Sequence, residues 1–166
     1  MFTKNEFKHA LGEETRLTCH LATKLQDVEG NYRPCEGMRT LDELLGYLTI
    51  CGVAPVAALL ANDWSVIAPY QERAAGVTRD GFEAAMGQQM EEFSALIDGV
   101  SDSDMSGREV GLPWGATSPL GYALYETSLR FLGAYRMQLF LYLKQAGQSE
   151  LNTYNAWIGQ DGPPAT

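Results

Sequence analysis

SPLGYALYETSLRFLGAYRMQLFLYLKQAG, residues 118–147, is the clearest structural signal in this 166-residue chain. Its first two residues, serine and then proline, are typical of an N-cap followed by the first residue of a helix. Gly147 stands where a glycine commonly ends a helix. Between these signals about eight helical turns run without a proline. We therefore predict one long helix over this segment, called helix 4.

One face of helix 4 is unusual because it mixes polar and apolar side chains. At 100° per residue this face collects Leu120, Leu124, Thr127, Ser128, Phe131, Tyr135, Gln138 and Tyr142. We predict that the face lines the axis of a helical bundle. Three leucines fall outside it, namely Leu132, Leu139 and Leu143, and we interpret them as a dimer surface or as packing for the C-terminal segment.

Three earlier segments also show helical spacing of apolar residues, each behind a possible capping box. The boxes begin at Thr3, Thr40 and Asp80. They predict helix 1 from the first box to about residue 27, helix 2 over residues 41–61, and helix 3 from the third box to about residue 98.

Two residues interrupt these patterns. Pro55 lies inside helix 2 and lacks an amide hydrogen, so we predict a kink near Gly52 and no stop. Glu14 lies on the apolar stripe of helix 1, where a carboxylate is either at the edge of the bundle or paired inside it. We favour the edge.

The remaining segments are predicted to be connections or short elements. They are a long connection over 62–78 with one short helical turn, a polar loop over 101–107, a loop or hairpin over 108–117, and a short helix over 149–158 in which Leu151, Tyr154 and Trp157 pack back on the bundle. Together these patterns predict an all-α, up-down-up-down four-helix bundle. We expect one domain over 1–160 and a frayed tail over 161–166.

The composition excludes several classes of protein. The net charge is −9 and the 12 basic residues are scattered, which argues against nucleic-acid binding. No apolar run approaches the ~20 residues that a membrane span needs, and no signal peptide is expected. The three cysteines form no C-x-x-C pair and no disulfide framework is expected, so we predict a cytoplasmic protein.

No strong catalytic or metal-binding motif is present. His9 and His20 are the two histidines, both in helix 1, and a spacing of eleven residues places them too far apart to share a metal ion. The more informative residues are Tyr47, Tyr135 and Gln138, because packing alone would fill a bundle seam with leucine. Such polar groups either hydrogen-bond to one another or line a ligand pocket between helices, and the sequence leaves both open.

Two stretches resemble the DinB/YfiT-like four-helix-bundle superfamily. The first is YRMQ at 135–138, followed by LFLYLKQAG at 139–147, which is similar to the family pattern H-x-x-x-H-R-G-Q and its apolar continuation. The second is YRP at 32–34 together with RTLDELLGYL at 39–48, which resembles the entry into the family's second helix. The resemblance implies the helical order predicted above.

The resemblance also implies what this chain lacks. The family's three metal-binding histidines fall on Tyr47, Phe131 and Tyr135, and the glycine of its motif falls on Met137. Members are divalent-metal proteins, some of them thiol-dependent transferases or hydrolases, and many are homodimers. The resemblance therefore implies a homodimeric scaffold that has no metal site and no cofactor.

Two functional hypotheses follow. In the first, the chain is a non-catalytic bundle that binds a small ligand or a protein partner through a tyrosine-lined axial pocket. In the second, it is a metal-independent enzyme that uses tyrosines as acid or base, Arg136 to position an anion and Cys51 as a thiol, or a thiol-cofactor-dependent transferase or hydrolase. We favour the first. Both use the same pocket candidates: Tyr47, Cys51, Phe131, Tyr135, Arg136, Gln138 and Tyr142.

Overall fold

Helices dominate this computed structural model, which describes residues 3–25 and 28–163. In chain order they are α1 (Lys4–Ala22), α2 (Leu41–Leu48), α3 (Ala54–Ala61), α4 (Ala68–Ala75), α5 (Phe82–Asp98), α6 (Asp102–Gly107), α7 (Leu120–Leu124) and α8 (Arg130–Gln145). Helix 1 is α1, helix 2 is α2 with α3, helix 3 is α5, and helix 4 is α7 with α8. The all-α class and the four bundle helices are confirmed.

The capping predictions are correct for helices 1 and 2 and wrong for helix 3. Thr3 and Thr40 each close a full capping box. At helix 3 the N-cap is Gly81, without a side-chain bond, and its amide donates to the Thr78 hydroxyl instead. Helix 1 ends at Ala22, earlier than expected, and the predicted end at residue 27 lies outside the described residues.

Helix 2 is broken between α2 and α3, so the predicted kink is wrong. Pro55 has no amide hydrogen for the carbonyl of Cys51, and the chain turns through residues 49–53. Gln89 of helix 3 forms hydrogen bonds with backbone groups at the break. It accepts a hydrogen bond from the Gly52 amide at 2.8 Å and donates one to the Leu48 carbonyl at 3.0 Å. Because these buried backbone groups are satisfied from outside the helix, a full break is tolerated.

Helices 1 and 3 run in opposite directions, and so do helices 2 and 4. Near the start of helix 1, Lys8 pairs with Asp98 at the end of helix 3. Along helices 2 and 4, Ser128 contacts Gly52 and, further along helix 4, Tyr142 contacts the carbonyl of Arg39 before helix 2. These contacts fix two antiparallel pairs.

Helices 2 and 3 run in the same direction. Asp42 contacts Arg79 just before helix 3, and Gly52 contacts Gln89 ten residues further along. The bundle is therefore up-down-down-up, and the predicted alternation is wrong for helices 3 and 4.

The connection between helices 2 and 3 explains this direction. It contains a 3-10 helix (Trp64–Ile67) and α4, so it is more helical than predicted. α4 packs on α2 so closely that a Cβ on Gly46 would lie 2.4 Å from the carbonyl oxygen of Ala74. The chain thus runs back along helix 2 before helix 3 begins. Helix 3 therefore starts at the end of the bundle where helix 2 also starts.

A short hairpin precedes helix 4. β1 (Glu109–Gly111) pairs antiparallel with β2 (Thr117–Pro119), which confirms a hairpin over this segment. Ser118 belongs to β2, so the predicted N-cap is displaced: the N-cap is Pro119 and makes no side-chain bond. The segment predicted as a polar loop before the hairpin forms α6 instead. A capping box between Ser101 and Asp104 stabilises the N-terminus of α6.

The C-terminal segment lies against helix 1. It contains a π turn (Tyr154–Ile158), in which Ala156 is buried. Leu151 packs into the core as predicted, whereas Tyr154 and Trp157 are exposed. Asp161, in the predicted tail, pairs with Lys24, and residues 164–166 lie outside the described residues. Within the described residues, no helix is long and apolar enough to cross a bilayer.

Candidate ligand site

A π turn (Tyr125–Leu129) in the middle of helix 4 decides which side chains reach the core. Before it, the buried residues follow the predicted face. After it, they shift by one position, to Leu132, Arg136, Leu139 and Leu143, with Tyr142 also buried. In a π turn each backbone hydrogen bond spans one residue more than in an α-helix. The extra residue rotates the later side chains about the helix axis, so different positions face the core.

This rotation corrects two predictions. The leucines at 132, 139 and 143 are buried within this chain, so they do not provide a dimer surface. Phe131, Tyr135 and Gln138 are only half-buried, on the side of helix 4 that faces α2.

The three positions matched to the family's histidines do come together. The rings of Tyr47 and Tyr135 are 4.6 Å apart and inclined at 68°, and those of Phe131 and Tyr135 are 6.4 Å apart at 79°. Both are edge-to-face arrangements, which aromatic rings prefer. The expected approach of Tyr47 and Tyr135 between helices 2 and 4 is confirmed.

Arg39 completes this cluster, and the sequence analysis missed it. Its guanidinium lies 4.1 Å from the centre of the Tyr47 ring and 5.4 Å from that of Tyr135. The Arg39 side chain forms no ion pair or hydrogen bond with another described residue. One signal could have identified it: helical side chains lean toward the N-terminus, and Arg39 is the nearest cation in that direction from Tyr47.

Gln138 and Tyr142 are engaged in hydrogen bonds. The Tyr142 hydroxyl donates to the Arg39 carbonyl at 2.8 Å, and the Gln138 amide donates to the Tyr142 oxygen at 3.3 Å. For these two residues the first of the two open explanations is correct: the polar groups satisfy one another. They also hold the backbone of Arg39 against helix 4.

A pocket of about 450 Å³ opens between α2 and α4. Its polar lining comes from Arg39, Asp42, Glu43, Tyr47 and Gln71, and its apolar lining from Ile50, Ala74, Ala75 and Val77. Tyr47 alone among the predicted site residues lines it. The pocket therefore lies beside the axis and not on it, because the connection between helices 2 and 3 forms one of its walls.

Arg136 has a structural role and cannot position a ligand. It is 1% exposed, forms an ion pair with Glu14 at 2.6 Å, and donates to the carbonyl of Ala156 in the C-terminal segment. The prediction that Glu14 lies free at the edge is wrong, because its carboxylate is the partner of this buried guanidinium. Arg136 thus joins helix 4 to helix 1 and to the C-terminal segment.

Cys51 and Tyr47 are poorly suited to acid–base or nucleophilic chemistry. Cys51 is 1% exposed and its thiol faces the carbonyl of Leu48. Burial raises the pKa of the Cys51 thiol and that of the Tyr47 hydroxyl. Burial likewise raises the pKa of Cys19 to about 11. All three groups are therefore protonated and weakly reactive at neutral pH.

The three residues that the resemblance aligns with metal-binding histidines do not fit a metal ion. Phe131 has no donor atom, and the raised pKa of Tyr47 disfavours the phenolate that a metal would need. The guanidinium of Arg39 stacks on the same ring and would repel a cation. Across residues 3–25 and 28–163, no group of three or more His, Cys, Asp or Glu side chains could hold a metal ion.

A comparison with solved structures shows that this all-α bundle has the DinB-like fold. The crystal structure of the DinB-like protein YjoA from Bacillus subtilis is similar to this chain, with a TM-score of 0.69 and 18% sequence identity. The match covers 89% of this chain and 96% of that one. A scan of family models gave no match, and a search of curated proteins gave no significant match.

Proposed function

We propose that this protein is a metal-independent binding protein that takes a small organic anion into the pocket between α2 and α4. The observation that carries the proposal is the guanidinium of Arg39, which lines this pocket, lies 4.1 Å from the centre of the Tyr47 ring and forms no direct ion pair with a described carboxylate. The proposal moves the binding site from the bundle axis to the lateral pocket.

The stacking of Arg39 suits it to bind a carboxylate. A guanidinium that lies on an aromatic face keeps its N–H donors at its edge, where they match the two oxygens of a carboxylate. Ile50 and Val77 line the pocket and offer apolar surface to the body of a ligand. A volume of about 450 Å³ lies within the range of small-molecule sites.

The enzymatic alternatives receive less support. A transferase or hydrolase without a metal needs an activated nucleophile or a group that titrates near neutral pH. Burial raises the pKa values of Cys51 and Tyr47, which moves both away from that range. Arg136, the proposed anion-positioning residue, is committed to Glu14.

The test is calorimetric titration of the full chain with short apolar carboxylic acids and with the corresponding uncharged amides. We expect the acids to bind and Arg39→Met to weaken them by at least tenfold, since hydrogen bonds to charged groups contribute about 1.5–3 kcal/mol. Arg130→Met is the control, because Arg130 is an exposed arginine outside the pocket lining. Equal binding by Arg39→Met and the unmodified chain, or no binding of acids, would contradict the proposal.

We also propose that the protein is a cytoplasmic homodimer. The dimer rests on the family resemblance, and the three free cysteines support a reducing compartment. Light scattering over a wide concentration range tests the dimer: a mass that stays near 18.2 kDa would contradict it.

A further inference from the structure

Asp42, one of three charged side chains that line the pocket, is already neutralised by the protein. One of its carboxylate oxygens accepts a hydrogen bond from Arg79 at 3.0 Å. The other is pressed against the preceding connection, where a Cβ on Gly30 would lie 2.0 Å from it. Asp42 therefore already has a cationic partner, which ties helix 2 to Arg79.

Glu43 is only half committed. Its Oε2 accepts the amide hydrogen of Thr40 at 2.7 Å in the capping box, while its Oε1 has no hydrogen-bond partner among the described residues. The backbone and side-chain hydrogen bonds from Thr40 hold the pKa of Glu43 below its usual range, so the carboxylate is charged at neutral pH. The pocket lining thus includes one uncommitted negative group.

Arg39 supplies the opposite charge, and no ion pair joins it to Glu43. The pocket therefore presents one positive and one negative group that are not paired directly with each other, beside an apolar wall that includes Ile50 and Val77. A simple anion would pair with Arg39 and leave Glu43 without a cationic ligand group. A ligand that carries both charges satisfies both groups.

We infer that the ligand is a small zwitterion, an amino acid or dipeptide with an apolar side chain, whose carboxylate binds Arg39 and whose ammonium group binds Glu43. This inference rests on the proposed binding function of the pocket. The apolar side chain then lies against Ile50 and Val77, and the amide of Gln71 lines the same space.

The test compares four probes on the full chain by isothermal titration calorimetry. Leucine and leucyl-leucine carry both charges, N-acetylleucine lacks the ammonium group, and leucinamide lacks the carboxylate. We expect at least one zwitterion to bind tenfold or more tightly than both singly charged probes.

Glu43→Gln is the decisive variant. Glutamine at this position also completes a capping box, so the helix start is kept while the charge is removed. We expect this variant to bind the zwitterion at least tenfold more weakly and N-acetylleucine no more weakly than before. Glu36→Gln, which removes an exposed carboxylate outside the pocket lining, controls for the change in net charge and should leave both affinities unchanged.

The outcomes separate this inference from the proposed function. If N-acetylleucine binds as tightly as the zwitterions and Glu43→Gln has no effect, the inference is overturned and anion binding by Arg39 stands. If no probe binds in a manner that depends on Arg39, both are overturned. A thermal unfolding curve of Glu43→Gln that matches the unmodified chain confirms that the comparison is between folded proteins.

Discussion

The hydroxyl of Ser128, in the π turn of helix 4, donates a hydrogen bond to the carbonyl oxygen of Gly52, in the break of helix 2. The two irregular segments therefore lie at the same level of the bundle and face each other. Gln89 of helix 3 completes the arrangement by bonding the Gly52 amide and the Leu48 carbonyl. The break in helix 2 therefore leaves backbone groups that side chains of helices 3 and 4 satisfy.

Replacing Gln89 with leucine should destabilise the protein strongly. The volume is nearly kept, but the Gly52 amide loses its acceptor and the Leu48 carbonyl loses its amide donor in a buried place. Unsatisfied buried groups cost about 1–3 kcal/mol each, so we expect a loss of about 2–4 kcal/mol in the free energy of unfolding. Urea denaturation monitored by circular dichroism measures it.

Gln88→Ala is the control for this experiment, because Gln88 is exposed and its side chain donates to the carboxylate of Glu92 on the same helix. We expect a change of less than about 0.5 kcal/mol for this surface residue. Similar losses for both variants would show that Gln89 does not support the break in helix 2.

The bundle class and most helix ends could be predicted because they depend on local signals. Capping boxes at Thr3 and Thr40 and the glycine at 147 act within one turn of the chain, and the structure contains all three. The face of helix 4 could be predicted only up to the π turn. The phase change there depends on contacts with other helices, such as that between Ser128 and Gly52, which no local pattern records.

The candidate site could be predicted only in part, because much of it depends on contacts between separate segments of the chain. The meeting of Tyr47 with Tyr135 followed from the family resemblance. The position of the pocket depends on α4 returning along α2, and that path is set by the close approach of Gly46 to Ala74. Arg39 was missed because its contacts join the end of a loop to two separate helices.

Replacing Glu14 should lower the free energy of unfolding more than replacing its ion-pair partner, Arg136. Arg136 is 1% exposed, whereas the side chain of Glu14 is 22% exposed. Glu14→Leu leaves a buried guanidinium without its carboxylate, and such broken pairs cost about 3–5 kcal/mol. In Arg136→Met the remaining carboxylate reaches water, so we expect a smaller loss. Chemical denaturation of both variants measures the difference.

The double variant tests the reason given for this asymmetry. An apolar pair should recover much of the stability lost in Glu14→Leu, since no uncompensated charge is left. A double variant as unstable as the sum of the two single ones would show that the charges act independently and that the ion pair is not the cause.

His20 should make stability fall as the pH drops below neutral. Burial, and then the charge of Lys24, lower its pKa in the folded protein. The unfolded chain therefore binds the proton more readily, and the contribution is complete above about pH 6.5 and lost below it. Protonation also removes the acceptor that the ring nitrogen offers to the Asn155 amide at 3.3 Å.

The measurement is the free energy of unfolding between pH 7.5 and about pH 5.5. His20→Gln should flatten this curve, by no more than about 1.4 kcal/mol per pH unit, the limit for one proton. His9→Gln, at an exposed position of the same helix, is the control for the substitution itself. A curve unaltered by His20→Gln would contradict the assignment.

Introducing histidine at Tyr47, Phe131 and Tyr135 should create a zinc site that the natural chain lacks. The three rings already cluster, with centres 4.6 and 6.4 Å apart along the series. Three imidazoles with one open position form a common zinc site. Because the guanidinium of Arg39 lies over the first of these rings, adding Arg39→Met should raise the zinc affinity further. Competition with a chromogenic chelator measures both affinities.

Two outcomes would contradict this reasoning. A triple variant with an unchanged circular dichroism spectrum and no zinc affinity would show that these positions do not superpose on the family's metal ligands. Near-stoichiometric zinc or nickel in the natural protein, purified without a tag and lost on replacing His20 or Glu126, would show that a metal binds through other ligands. Since a neutral phenol is a poor ligand and burial raises the pKa of Tyr47, elemental analysis of the natural protein should find neither metal.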